Sequence, residues 1–315
     1  MKPLREQFRE WMVFHHYSPR TIQTYIGCVY AFVVWSGKRD PLTMGATEVN
    51  AFLSHLANDY HVTAKTQTQN LCALVRFYDG CLGKPLGDIG KFDYASKPSR
   101  LPVVMSKSEV FQVIEALPPN ALRLMTKLLY GCGLRLMECC RLRVKDVDFA
   151  RGVVNVKCGK NDKDRNIPLP KSIITELQSH LAYNHTRFLA MKWVVHLPDG
   201  LPRKFPNYEH EWPWQYVFAA RGFSTDPDDG RQKIHHIHQN TLQKAVHTAV
   251  RNLALTKRIT CHTFRHSYAT HLIESGTPIY DVQQLLGHSR LETTMIYNHV
   301  AMPPEQRIAS PLDTR

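Results

Sequence analysis

Residues 93–104, DYASKPSRLPVV, divide the chain and so limit what it can fold into. Pro98 and Pro102 bar a helix from running through, and the serines and basic side chains around them offer nothing to bury. The stretch reads as a linker, and 315 residues suit two domains. Ahead of it, 1–92 repeats apolar residues at helical spacing in four places: Leu4, Phe8, Trp11 and Met12; Ile22, Tyr25, Val29 and Phe32; Val49, Phe52, Leu53 and Leu56; and Leu71, Leu74, Val75 and Tyr78. Ser18-Pro19 is a helix start, and Gly80 is expected to end the fourth helix. Four such helices make a bundle around one core.

The second domain, 105–302, opens on a capping box, Ser106 to Glu109, before Val110, Val113 and Ile114. A helix through Leu122, Met125 and Leu129 reaches Gly131-Cys132-Gly133. Strand-like runs follow over 144–149, 152–158 and 166–169, giving an antiparallel meander. Helical periodicity returns at Ile174, Leu177 and Leu181 and again from Leu242 to Val300, whereas 191–239 has no clean period. The polar tail is 303–315. The fold class is mainly α with a small antiparallel β-sheet.

Forty Lys and Arg against 27 Asp and Glu leave a net charge of +13, which points to a polyanion, nucleic acid before membrane. The excess is concentrated: 1–94 carries about +2 and 96–171 about +8, so the linker and the start of the second domain hold the basic face. No apolar run approaches the roughly 18 residues of a membrane span. The first 16 residues carry charge throughout and no small-residue cleavage site, so secretion is not expected. Eight irregularly placed cysteines read as reduced thiols, and a cytoplasmic, nucleoid-associated protein is expected. His235, His236 and His238 lack a second ligand cluster, so no metal is expected. No Gly-x4-Gly-Lys-Ser/Thr loop exists, so ATP is not implied.

Several residues could act on a phosphodiester. Arg135, after Gly133-Leu134, sits at a helix start, where the dipole favours acids; it fits there if it grips a phosphate, and the alternative is a solvent-exposed or glutamate-paired arginine. Lys160, in the turn Gly159-Lys160-Asn161-Asp162, is either a mobile general acid or a solvated turn lysine. His262 and Arg265, three apart, share one helix face, with Phe264, Tyr268, Ala269 and Leu272 largely opposite. His266 and His271 are expected to pack or hydrogen-bond. His288 projects from the turn at Gly287, and Tyr297, nine residues on, is either core or a phenol aimed into the same pocket. Together they supply a nucleophile, cations for a pentacoordinate phosphorane, and proton carriers, without a carboxylate cluster for two magnesium ions.

With these boxes in place, Gly133-Leu134-Arg135-Leu136-Met137-Glu138, Lys160, His262-Thr263-Phe264-Arg265-His266-Ser267, Leu285-Leu286-Gly287-His288 and Tyr297, nearly the whole chain resembles the tyrosine recombinases. The stretch from Leu201 to Phe218, with Leu101-Pro102-Val103-Val104, is similar to the integron integrase subfamily, whose insertion would occupy about 191–239. The resemblance implies an N-terminal core-binding domain and a catalytic domain closing on DNA as a C-shaped clamp, a homotetramer on paired sites, and no cofactor. It implies that Tyr297 attacks the scissile phosphate to give a 3′-phosphotyrosyl link. Arg135 and Arg265 would hold its oxygens, Lys160 would protonate the leaving 5′-oxygen, His262 would accept the tyrosine proton, and His288 would bond the phosphate. The substrates would be folded single-stranded attC cassette sites and duplex attI. Extrahelical bases would be read by stacking and cations from Arg203, Lys204, Trp212, Trp214, His235 and His236, with Phe205, Tyr216, Phe218 and Arg221 nearby. The alternatives are a phage or chromosome-dimer recombinase on duplex sites and a catalytically inactive DNA-binding protein.

Overall fold

The computed structural model describes residues 2–93, 102–157, 164–198, 200–227, 229–298 and 301. Lys160, most of the linker and the tail 303–315 lie outside the described residues. The chain divides into two compact units, Met1–Arg100 and Leu101–Arg315, and it is mainly helical with small antiparallel sheets.

The first unit is built on α1 (Leu4–Phe14), α2 (Pro19–Trp35), α3 (Ala46–Asn58) and α4 (Ala64–Val75). Ser18 Oγ accepts from the Thr21 N–H at 3.2 Å, and Pro19 occupies the first helical position, where a missing N–H costs nothing. Phe8, Met12, Ile22, Phe32, Val49, Phe52, Leu53, Leu74 and Tyr78 close the core. Gly80 does not end the fourth helix. The chain runs on from α4 through a π-helical turn, Arg76–Cys81, with Gly80 inside it. A Cβ on Gly80 would lie 2.1 Å from the Trp11 ring, so glycine is there to admit the indole of α1.

The second unit centres on α6 (Ala121–Gly131) packed against α11 (Cys261–Glu274), with α5 (Lys107–Ala116), α8 (Ile174–Met191) and α10 (Gln239–Asn252) around them. Val110, Val113, Leu124, Met125, Leu128, Leu129, Leu177, Leu242, Val246 and Phe264 form one core. The capping box expected at Ser106 is present, Glu109 accepting from the Ser106 N–H at 2.6 Å and the Glu109 N–H donating to Ser106 Oγ at 3.1 Å. The meander consists of β1 (Val147–Asp148), β2 (Val153–Val156) and β3 (Arg165–Pro168), in the order β1-β2-β3, with Val147 opposite Val154 and Val154 opposite Ile167. Its first strand is shorter than the apolar run predicts. Asp146 accepts the Arg143 N–H at 3.0 Å and winds Val144–Asp146 into a helical turn.

The aperiodic region 191–239 has a small core of its own, Trp193, Val195, Leu197, Tyr216, Ala219 and Ile234. It holds α9 (Leu201–Lys204) and a short hairpin of β4 (Ser224–Thr225) and β5 (Gln232–Lys233). Ion pairs add to that apolar burial. Lys233 bonds Asp226 at 2.8 Å, and Arg231 takes both Glu209 oxygens at 2.8 and 2.6 Å. The short α7 (Leu136–Cys140) follows α6 and packs on it and on α10, and the last two helices, α12 (Ile279–Leu286) and α13 (Glu292–Asn298), pack against α11. No described helix is long and apolar enough to cross a membrane.

Candidate active site

The C-terminus of α12 organises this site. A helix end leaves its last carbonyls without intrahelical donors and concentrates negative partial charge there. Three successive carbonyls each receive an arginine. Arg165 Nε donates to Leu285 O at 2.8 Å, Arg265 Nη2 to Leu286 O at 2.5 Å, and Arg135 Nη2 to Gly287 O at 3.0 Å. Gly287 ends the helix at φ +63°, the left-handed conformation glycine adopts without penalty, and turns the chain so that His288 follows directly.

Arg135 caps α7, and its neighbour Glu138 explains how. Glu138 accepts from the Arg135 N–H and from Arg135 Nη1, both at 2.8 Å, and from Arg165 Nη2 at 2.7 Å. Burial raises the Glu138 pKa, but the Arg165 and Arg135 donors outweigh it, so the carboxyl sits below its ordinary value and stays ionised. Arg135 is therefore both glutamate-paired and in the site. Arg265 is almost fully buried, and its Nη1 donates to Gly133 O at 2.6 Å. Burial and then Arg135 pull it down to about 10, still a full charge at neutral pH. Gly133 has φ +58°, and a Cβ on it would meet Tyr268 Cδ1 at 2.3 Å.

His288 has a defined protonation state. Arg265 Nη2 lies 3.1 Å from His288 Nε2 and can only donate, so Nε2 accepts and the ring proton sits on Nδ1, 2.9 Å from Thr294 Oγ1. Burial, with Arg265 and Arg135 next, presses the His288 pKa down to about 3. Tyr297, on α13, is buried, with its ring nearly parallel to His288 at 6.3 Å. Burial raises its pKa, partly offset by Arg265 and Arg135, so the phenol is protonated at neutral pH. Its hydroxyl lies 2.8 Å from His266 Nδ1.

Five of the six expected catalytic residues, Arg135, His262, Arg265, His288 and Tyr297, thus lie at the start of α7, on α11, just past α12 and on α13, around one turn. Lys160 falls between the paired strands β2 and β3, outside the described residues. His262 and Arg265 share one side of α11, as their spacing predicts, and the Arg265 charge acts on His262. The helix is buried on several sides, and Arg265 lies inside. His271 bonds the Tyr130 hydroxyl at 2.9 Å, as expected of a hydrogen-bonding histidine. Two residues join the site that the spacing does not announce, Arg165 and His266. Arg165 shares the inward phase of β3 with buried Ile167, and a charge in a core phase is the signal for it.

The insertion residues fall in separate places. Arg203 and Lys204 are exposed on α9. His235 and His236 line an open cleft of about 1100 Å³ with Arg187, Arg221 and His238, which Arg203, Lys204, Trp212 and Trp214 do not line. Burial lowers the pKa of His236. Trp212 packs on His185 and Phe188, ring centroids 4.7 and 5.6 Å away. Trp214 stacks on Tyr208 at 4.8 Å, Tyr208 on Phe205 at 4.6 Å, and Lys145 Nζ stands 3.0 Å from the Trp214 centroid. Tyr216 and Phe218 are buried in the cores and are not surface rings.

Residues 104–303 match the phage integrase family, and residues 4–88 match the phage integrase N-terminal SAM-like domain. An integrase/recombinase of Escherichia coli is 42% identical, over 99% of this chain and 95% of that protein. Tyrosine recombinase XerA of Thermococcus kodakarensis is 30% identical, over 94% and 90%. Among solved structures, XerH bound to palindromic difH substrate matches at a TM-score of 0.63 and 20% identity, over 89% of this chain and 76% of that one. A lambda integrase dimer bound to a COC′ core site matches at 0.63 and 15%, over 99% and 79%, a likeness of fold. The chain belongs to the phage integrase family of tyrosine recombinases, the site-specific DNA recombinases.

Proposed function

We propose that this protein is a recombinase of the integron type, which cuts and rejoins DNA through Tyr297 and joins folded attC strands to duplex attI. The observation that carries the chemistry is the convergence of Arg135, Arg265, His288 and Tyr297 on the end of α12. Guanidiniums held by carbonyls on one side are preorganised to meet a phosphate on the other, which costs no reorganisation at the moment of reaction. Tyr297 attacks phosphorus, and Lys160 protonates the departing 5′-oxygen. The phosphotyrosyl link keeps the energy of the broken bond, so rejoining needs neither ATP nor metal. His288 bonds the phosphate once its ring proton is on Nε2 rather than Nδ1, because a phosphodiester oxygen only accepts. His262, with its pKa lowered by burial and then by Arg265 and Arg135, borders the same space.

The integron assignment is supported by the region 191–239, which forms its own core, a stack of aromatic rings and a cleft lined by histidine and arginine. A tetramer on two paired sites in the bacterial cytoplasm is the setting this reading requires. Its test is covalent adduct formation, resolved on denaturing gels, with bottom-strand and top-strand hairpins of a cassette site and with the matching perfect duplex. Adduct on the bottom-strand hairpin, resistant to EDTA, is expected. Preference for the perfect duplex would assign the protein to the phage or chromosome-dimer type, and binding without adduct would make it an inactive DNA-binding protein.

A further inference from the structure

We infer that His266 is the base that receives the Tyr297 proton when the tyrosine attacks. The inference rests on the reading of Tyr297 as nucleophile. The group touching the reacting oxygen is His266, whose Nδ1 lies 2.8 Å from the hydroxyl, with the rings 5.5 Å apart and tilted 48°. That distance and the half-buried position of His266 hold the hydroxyl in a hydrogen bond along which the proton can pass as the oxygen attacks. His262 stands one helical turn earlier on the same face of α11, its ring edge-on to His266 at 5.2 Å and 89°.

A base must be unprotonated before it acts, and His266 is. Burial first, then His262 and the Arg265 guanidinium, lower its pKa to about 4. With its own proton on Nε2, Nδ1 accepts from the phenol. Tyr297 needs such a partner, because its buried hydroxyl is protonated at neutral pH. The step balances. The Tyr297 O–H proton moves to His266 Nδ1, and the phenolic oxygen bonds to phosphorus. The bond from phosphorus to the 5′-oxygen breaks with its electron pair on oxygen, and that oxygen takes a proton from Lys160. Rejoining runs the same transfers backwards and returns both groups to their starting states.

The test compares His266→Gln, His262→Gln and Tyr297→Phe on a nicked duplex suicide substrate, each with ordinary tyrosine or a fluorinated tyrosine of lower pKa at position 297, except Tyr297→Phe. Gln can still bond the hydroxyl but cannot take the proton. His266→Gln should slow adduct formation about 10²–10⁴-fold, the usual worth of a general base. Fluorotyrosine should recover at least tenfold of that loss, because a more acidic phenol needs less help. DNA binding and thermal unfolding of His266→Gln should match the parent, and a variant that fails them is replaced by His266→Asn. Cleavage by His266→Gln within a few-fold of the parent would overturn the inference, as would fluorotyrosine rescue seen in His262→Gln and absent in His266→Gln. Adduct formed by Tyr297→Phe would instead overturn the nucleophile assignment itself.

Discussion

Arg165→Met should separate the stability of the site from its chemistry. Arg165 and Glu138 are both well buried, at 6% and 13% side-chain exposure, and joined at 2.7 Å. Removing one partner of a buried pair costs about 3–5 kcal/mol, because the remaining charge is stranded. Here Glu138 is not stranded, since Arg135 still gives it an N–H and Nη1. The ionic loss therefore falls near about 3 kcal/mol, and the Leu285 carbonyl, deprived of its donor, adds about 1 kcal/mol. Urea unfolding should thus show a loss of about 3–4 kcal/mol. The Gly287-His288 turn loses one of its three anchors, and a displacement of about 1 Å there should lower the rate of adduct formation about 10–100-fold. Arg165→Met combined with Glu138→Leu removes both charges and should recover at least about 1.5 kcal/mol over the single variant. It should cleave more slowly still, because Arg135 then has no carboxylate to hold it. A single-variant loss under about 1 kcal/mol, or a double variant that regains cleavage with its stability, would refute the account of Arg165 as an anchor of this turn.

Arg265→Ala should lower the rate of strand cleavage about 10²–10³-fold, and Arg265→Lys should not restore it, since a point charge cannot replace a fork that bonds Gly133 O and Leu286 O together; single-turnover assays with the nicked substrate decide both. Lys160→Ala should cut a normal 5′-oxygen slowly and a 5′-bridging phosphorothiolate much faster, because a thiolate leaves without a proton; equal defects would remove Lys160 as the acid. His266 and His288 have folded pKa values of about 4 and about 3, below the unfolded value of about 6.5. The unfolded chain thus binds more protons between those limits, so stability is full above pH 6.5 and falls as pH drops towards 4, and in melting-temperature profiles His288→Gln should flatten that fall. Phe205→Ala should weaken binding to a hairpin with extrahelical bases about 5–150-fold, the worth of one stacked base, and leave duplex binding and unfolding unchanged, because Phe205 is exposed at the end of its stack.

Most of the architecture was legible because it rests on local rules. Ser18, Ser106 and the 3.6-residue periods place helices by capping and amphipathicity, and Val154 opposite Ile167 follows from alternation. Gly80 misleads because glycine has two uses, ending a helix or admitting a neighbour, and only the position of Trp11 decides between them. In the helix α11 the shared side of His262 and Arg265 is legible, but the burial is not. Its polar residues Thr263, Arg265, Ser267 and Thr270 are buried. Their partners come from far along the chain, the Met105 N–H on Ser267 Oγ and Gly133 O under Arg265 among them, and no period encodes such pairings.

The same distinction governs the candidate site. The boxes around Arg135, His262, Arg265, His288 and Tyr297 can be read because their residue types recur at fixed short spacings, two of them at a cap or turn. What the boxes do to one another is set by the end of α12, whose three carbonyls each hold an arginine from a different element. In the insertion, reading from residue type alone favours the tryptophans as base-stacking platforms. Packing leaves these rings unequally open. Trp212 packs on His185 and Phe188, and Trp214 on Tyr208 and Lys145, whereas Phe205 ends the stack at 43% exposure. A flipped base needs a ring with an open face, so Phe205 is the better surface for it, with Arg203 and Lys204 beside it in sequence for the adjoining phosphates. Trp214→Ala would then act on hairpin binding through the stack it supports and would lower stability as well, which Phe205→Ala would not.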